Sequence, residues 1–209
     1  MSLVDKLKWR YATKKFDNTQ KIASEKLGYI LDAIQLAPSS YGLQPYRILV
    51  VEDPIVRERL KEASYGQTQI TDASQLIVFA VETNINEDFV KKYMDSTAAI
   101  RNIPRESLAG FEGMVLGTIN SRTKEELTTW AQKQAYIALG VLLAAASEQS
   151  IDACPMEGFD AARYNDILNL TEKGLTATVI TTVGSRASDD DYAQLAKVRR
   201  AKEELFIHV

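Results

Sequence analysis

The sequence holds one histidine, His208, next to the last residue, and one cysteine, Cys154. A lone histidine at that position argues against a Ser-His-Asp triad or a Cys-His pair in the body of the chain. It also excludes a multi-histidine metal site within one chain. A lone cysteine rules out an internal disulfide and fits a reducing compartment. Neither a G-x-G-x-x-G run nor a Walker loop is present, so the common glycine-rich phosphate cradles are missing. Gly110, Gly113 and Gly117 fall in a helix-like segment instead of after a strand. No apolar run reaches the roughly 18 residues of a membrane span. The first ten residues lack the apolar core of a signal peptide. The net charge is −3 and no basic block is present, which argues against nucleic acid as a partner. These absences point to the cytoplasm. If the chain is an enzyme, they point to hard chemistry carried by a bound cofactor.

What is present suits one soluble globular domain, residues 1–209, with 45% apolar and 25% charged residues. The stretch Ala37-Pro-Ser-Ser-Tyr-Gly-Leu-Gln-Pro-Tyr-Arg47 lies between a helix and a strand. Its two prolines pin φ, Gly42 opens dihedrals closed to other residues, and Ser39, Ser40 and Gln44 offer polar groups. That combination suits a corner shaped to hold a polar small molecule, although turn residues of this kind also make ordinary loops.

Apolar spacing predicts helices over Leu3–Tyr11, Ser24–Ala37, Ile55–Ser64, Ile85–Ile100, Arg105–Asn120 and Ala161–Leu168. Ser24 reads as the N-cap of the second helix, which must stop before Pro38. The longest helix, Thr123–Ser147, opens with the capping box Thr123-Lys-Glu-Glu126 and turns apolar on nearly all sides beyond Trp130. It is expected to be central, buried in the domain or in a dimer. Three strands are clear, Arg47–Glu52, Gln75–Glu82 and Leu175–Val183. Few strands among many helices predict an α+β domain with a small sheet flanked by helices. Three strands are thin for this length, so an edge strand is expected from the tail, of this chain or of a neighbour.

Several polar groups await a ligand. Arg10 and Lys14 fall at or past the first helix end, where a cation complements the helix dipole or clamps a phosphate. Gln67 and Gln69 carry amides suited to a heterocycle with mixed edges, in a segment that also reads as a solvated turn. Ile151–Phe159 reads as a short extended stretch, then a turn, where Glu157-Gly158 after Pro155 gives a backbone that can approach a ligand closely. Cys154 reads as a small buried apolar residue. The charged tail, from Ser185–Tyr192 through Lys197–Lys202, reads as largely solvated, and Leu205–Val209 is an apolar end that needs a surface to pack on.

Together these pieces resemble the nitroreductase family of flavin enzymes over essentially the whole chain. The likeness rests on Arg10-Tyr-Ala-Thr-Lys14, Pro38-Ser-Ser-Tyr-Gly-Leu-Gln-Pro45, Asp72-Ala-Ser74, Pro155-Met-Glu-Gly-Phe159 and Lys197-Val-Arg199. The resemblance implies a mostly antiparallel sheet in an intertwined homodimer with C-terminal strand exchange, and FMN bound at the interface. By it, Arg10, Lys197 and Arg199 meet the phosphate and ribityl chain, with Tyr11 and Ala12 alongside. Lys14 lies near the pyrimidine end of the flavin and gives electrostatic support. Pro38, Ser39 and Ser40 come from the other subunit, and Gln67 and Gln69 contact ring or ribityl. Pro155, Glu157 and Gly158 present backbone to the reactive edge. The implied activity is NADH- or NADPH-dependent reduction of nitroaromatic, quinone or flavin acceptors by ping-pong hydride transfer. Flavin storage or sensing without turnover, and another flavin reaction such as ene reduction or dehalogenation, stand as alternatives. Ala12 replaces a serine common in relatives, and the segment Tyr65–Ser74 lacks the asparagine and lysine that some relatives place there.

Overall fold

The computed structural model describes residues 2–209. Its centre is a four-stranded antiparallel sheet in the order β1-β2-β4-β3, made of β1 (Tyr46–Val51), β2 (Gln75–Glu82), β3 (Asp152–Met156) and β4 (Leu175–Gly184). Strand β2 is central and buried on both faces. Ile77, Phe79 and Val81 enter one core, while Leu76, Val78 and Ala80 enter the other, as the two-residue period of a strand requires. A bulge at Thr178 shifts the register between Phe79 and Ala80.

On the first face lie α2 (Ser24–Gln35), α5 (Glu87–Arg101), α6 (Ala109–Asn120) and α7 (Lys124–Glu148). Helix α7 is central, as expected: it touches all four strands. Its capping box is formed, with the Thr123 side chain accepting from the Glu126 amide. Yet one face of α7 stays uncovered in the single chain. Tyr136 and Ile137 are 40% and 43% exposed, with Gly140 beside them. The second face of the sheet carries α3 (Pro54–Glu62), α4 (Gln69–Asp72) and α8 (Ala161–Ile167). Helices α1 (Leu3–Trp9) and α9 (Lys202–Leu205) are peripheral.

Two expectations need correction. The fourth strand is β3, from Asp152–Met156 of this same chain, and the tail forms no strand on its own sheet. The sequence shows this segment only as a short extended stretch, since Pro155 interrupts it; proline is tolerated on an edge strand, where its missing N–H faces away from the ladder. The N-cap of α2 is Ala23 with no side-chain cap, because Ser24 is already helical. The chain enters α2 through the Ile22 amide, which donates to Ser74 Oγ at 2.8 Å.

Arg57 on α3 is 4% exposed and donates to the carbonyls of Ile70, Ala73 and Ser74 at 2.7, 2.6 and 3.0 Å. Burial lowers its pKa, against the pull of Asp72 and Glu52. This clamp fixes the end of the glutamine-bearing segment as it turns into β2.

Candidate functional site

Helix α1 ends at Arg10, its C-cap residue. The carbonyls left open there are taken by a residue far along the chain. Lys197 Nζ donates to the carbonyls of Leu7 and Lys8 at 2.9 Å each, and to that of Arg10. A cation at this end also complements the helix dipole. Capping does not account for the other two cations. Burial lowers the Arg10 pKa and Arg199 lowers it further; burial, then Arg10 and Arg199, lower that of Lys197. Among the described residues no carboxylate pairs with any of the three. Arg10 Nε is buried without a partner. Three mutually repelling cations and an orphaned guanidinium donor are what a phosphate would satisfy, so the residues present fit a phosphate-bearing cofactor.

From Arg10 the backbone runs beside β3. Ala12 bridges Ala153 in parallel, and the Thr13 amide donates to the Ala153 carbonyl at 3.4 Å. Asp190 holds the next turn. Its Oδ2 accepts from Tyr11 Oη at 2.8 Å, the Lys14 amide at 2.9 Å and the Lys15 amide at 3.2 Å. Burial works to raise this carboxyl's pKa, but the amides of Lys14 and Lys15, the Tyr11 hydroxyl and the Tyr192 amide together bring it below the ordinary value. The same bond, after burial, raises the Tyr11 hydroxyl. Lys14 Nζ sits 5.9 Å from the centre of the Tyr192 ring. Arg186 lies over the Trp9 and Tyr11 rings at 4.4 and 4.6 Å and pairs with buried Asp152 at 2.6 Å.

The glutamine segment meets the same edge of the sheet. Gln67 Nε2 donates to the Gly158 carbonyl at 2.7 Å and to the Ser64 carbonyl at 3.0 Å. A Cβ at Gly158 would lie 3.3 Å from that amide nitrogen, so the turn has little room for a side chain. Gln69 is buried at 7% exposure and adjoins Cys154. Burial raises the Cys154 thiol, with Lys14 and Arg10 pulling the other way, as suits a packed residue and not a nucleophile. Glu157 Oε1 accepts from Tyr136 Oη at 2.5 Å. Burial and then this carboxylate push the Tyr136 hydroxyl up to about 12. Between α7 and β3 runs a groove of about 500 Å³, lined by Tyr136, Leu139, Leu143, Pro155, Met156 and Val179.

Pro38, Ser39 and Ser40 are elsewhere. Their loop leads into β1, the opposite edge of the sheet from β3. At the usual strand spacing, three intervals amount to about 14 Å. The loop is rigid: the Ser40 amide donates to Gln134 Oε1 at 2.8 Å, and the Gln44 amide to Ser39 Oγ at 2.9 Å. Tyr41, Gly42 and Gln44 all have positive φ. At Gly42 a Cβ would meet Tyr93 Oη at 2.5 Å, so this position needs glycine twice over. The single chain thus gathers Arg10, Tyr11, Ala12, Lys14, Gln67, Gln69, Pro155, Glu157, Gly158, Lys197 and Arg199 near β3. It leaves Pro38–Ser40 with the other edge.

Sequence reasoning missed Asp190, Arg57 and Gln134. Asp190 stands in a run of three aspartates expected to be solvated, yet it is 4% exposed. Nothing in its local sequence separates it from exposed Asp189 and Asp191. Its burial comes from the segment Tyr11–Lys15, far away in the chain.

The same arrangement has relatives. The sequence model of the nitroreductase family matches residues 7–185. A Staphylococcus epidermidis protein named as an NAD(P)H nitroreductase is 34% identical, over 98% of this chain and 95% of its own. The major NAD(P)H-flavin oxidoreductase of Aliivibrio fischeri is 29% identical, over 97% and 96%. A solved structure from Exiguobacterium sibiricum, named as a nitroreductase in complex with FMN, shares the fold with a TM-score of 0.87. Its identity is 18%, over 100% of this chain and 98% of that one. With a match running from the first helix to the end of the sheet, and relatives aligned nearly end to end, this chain belongs to the nitroreductase family.

Proposed function

We propose that this chain is an FMN-dependent oxidoreductase that takes electrons from NADH or NADPH and reduces electron-poor acceptors such as nitroaromatics, quinones or free flavins. The observation that carries the reading is the unneutralised trio Arg10, Lys197 and Arg199, with Arg10 Nε buried and unpartnered. FMN, when bound, supplies hydride acceptance and donation, which no side chain of this chain can perform. Arg10 and Arg199 would hold its phosphate, with Lys197, whose three donors take the carbonyls at the end of α1, adding positive charge beside it, and the backbone at Tyr11 and Ala12 would run alongside. Lys14 places a positive charge toward the pyrimidine end of the ring, favouring negative charge there as an oxyanion hole does. Gln67 and Gln69 offer amides, Gln67 also bracing the Gly158 carbonyl. Pro155, Glu157 and Gly158 present backbone, with Tyr136 holding the Glu157 side chain. No side chain is required as a general acid, because solvent can protonate the reduced acceptor.

The working unit in this reading is a homodimer. Pro38–Ser40 then serve the partner's site, reached across the interface. The uncovered apolar face of α7 supports this, and so does an apolar groove of about 340 Å³ along the free side of β1, lined in part by Leu31, Ile34, Ile48 and Val50. Tail residues Phe206 and Ile207, 57% and 85% exposed on their own chain, suit that groove in a partner.

The test is an absorbance spectrum of the purified protein before and after anaerobic NADH and then NADPH. A two-band flavin spectrum that bleaches is the expected result. A flavin spectrum that neither donor bleaches replaces the reading with storage or sensing. A colourless protein that takes up no added FMN overturns it.

A further inference from the structure

Asp190 touches both ends of one interaction. Its Oδ2 takes the backbone amide of Lys14, and its Oδ1 takes the amide of Tyr192 at 3.3 Å. The Lys14 ammonium rests over the ring of that same Tyr192, 5.9 Å from its centre. The carboxylate is nearly fully buried and also holds Tyr11 Oη and the Lys15 amide. Two neighbouring aspartates behave differently. Asp189 pairs with Lys15 at the surface, and Asp191 is exposed. One buried anion therefore fixes where the Lys14 side chain starts and where the ring beneath its ammonium stands. It does so by tying the segment after Arg10 to the start of the tail that carries Lys197 and Arg199.

We propose that Asp190 is a positioning residue: it aims the Lys14 ammonium at the flavin and so sets how strongly the site prefers reduced over oxidised FMN. The inference rests on the FMN reading above. In this reading Asp190 acts on the flavin through Lys14 and Tyr192 and not by contact, while its bonds to Tyr11 and Lys15 hold the same turn. An asparagine there keeps the shape but has one acceptor oxygen in place of two and no charge. It cannot serve three amides and a hydroxyl together.

The experiment measures FMN affinity and the midpoint potential of the bound flavin in the parent, Asp190→Asn, Lys14→Met, the double variant and Asp189→Asn. In Asp190→Asn the affinity ratio for reduced over oxidised FMN is expected to fall about tenfold, a negative shift of about 30 mV for a two-electron couple. Lys14→Met should give a shift of the same sign, and the double variant no further shift, because both remove one interaction. Asp189→Asn should match the parent. Additive shifts in the double variant overturn the proposal, and so does an unchanged ratio in Asp190→Asn. If Asp190→Asn does not fold, Tyr192→Leu carries the test: it must lower the ratio in the parent and not in Lys14→Met, and any other pattern overturns the proposal. A parent that takes up no FMN overturns the functional reading and this inference with it. A yellow parent whose ratio ignores Asp190 overturns the inference alone.

Discussion

Replacing Arg10 by alanine should weaken FMN binding while leaving the empty protein at least as stable as before. The two effects have opposite signs for one reason. In the empty protein the Arg10 guanidinium is partly buried, unpartnered at Nε, and set beside the positive charge of Arg199. Removing it lifts a desolvation cost and a repulsion. The carbonyl of residue 10, which Lys197 uses, remains in the alanine variant because it belongs to the backbone. In the loaded protein the same guanidinium would make charge-assisted hydrogen bonds, worth about 1.5–3 kcal/mol when one partner is ionised. At 1.4 kcal/mol per factor of ten, the Kd for FMN should rise roughly 10- to 150-fold. Riboflavin, which lacks the phosphate, should bind parent and variant equally. The assay is titration of flavin fluorescence into apoprotein, run beside melting curves with and without FMN. The melting temperature should fall in the loaded variant and not in the empty one. An FMN Kd unchanged by the substitution, or a riboflavin Kd that shifts as far as that of FMN, would refute the phosphate assignment.

Lys197 should make FMN binding pH-dependent. Burial, then Arg10 and Arg199, place its folded pKa below the ordinary 10.5, so the protonated form costs the empty fold stability, a cost that lifts as pH rises through the folded pKa. A bound phosphate favours the proton, so FMN affinity measured by fluorescence should fall as pH climbs toward 10.5 while riboflavin affinity stays flat. Arg57→Met should destabilise the protein by about 3 kcal/mol or more, since three buried carbonyls lose their donor. At 2–4 °C per kcal/mol, calorimetry should show a melting temperature lower by roughly 6–12 °C. Deleting Leu205–Val209 should weaken the dimer by roughly a hundredfold or more, given about 1.5 kcal/mol for each large apolar side chain left unburied. Sedimentation that shows an unchanged dimer would reject tail exchange.

Parts of the fold are legible in the sequence because local and tertiary demands agree there. Strand β2 occupies the predicted Gln75–Glu82, where an apolar run is buried on both faces. Helix α7 begins at its capping box and stays apolar where it crosses the sheet. Strand β3 is legible only as a short extended stretch, because Pro155 interrupts the strand pattern, and its place at an edge makes that proline acceptable. The N-cap of α2 was misplaced by one residue because Ser74, distant in sequence, holds the Ile22 amide and sets the entry. In the site, Arg10 could be picked out by residue type at a helix end, whereas Lys197 and Arg199 stood out only through the family resemblance, and the closeness of the three depends on the tail returning to α1. Asp190 was illegible, since burial of one aspartate among three is decided by the segment folded over it. The separation of Pro38–Ser40 from the rest follows from strand order, which no local pattern encodes.

The two rims of the sheet also differ in what they can recruit. Along β3 the Ala153 carbonyl already receives the Thr13 amide, and Pro155 has no hydrogen to offer. Along β1 no proline intrudes between Tyr46 and Val51, and β2 is its only ladder partner among the described residues. An exposed ladder invites other chains, and a protein with two such rims could grow end to end into fibres. Here growth has a single direction. In the proposed dimer one incoming tail would saturate it, and a reciprocal swap between two copies would leave nothing to extend. Pro155 thus leaves the β3 rim one donor short for any further strand. Replacing Pro155 with a β-branched residue would restore a donor to that rim.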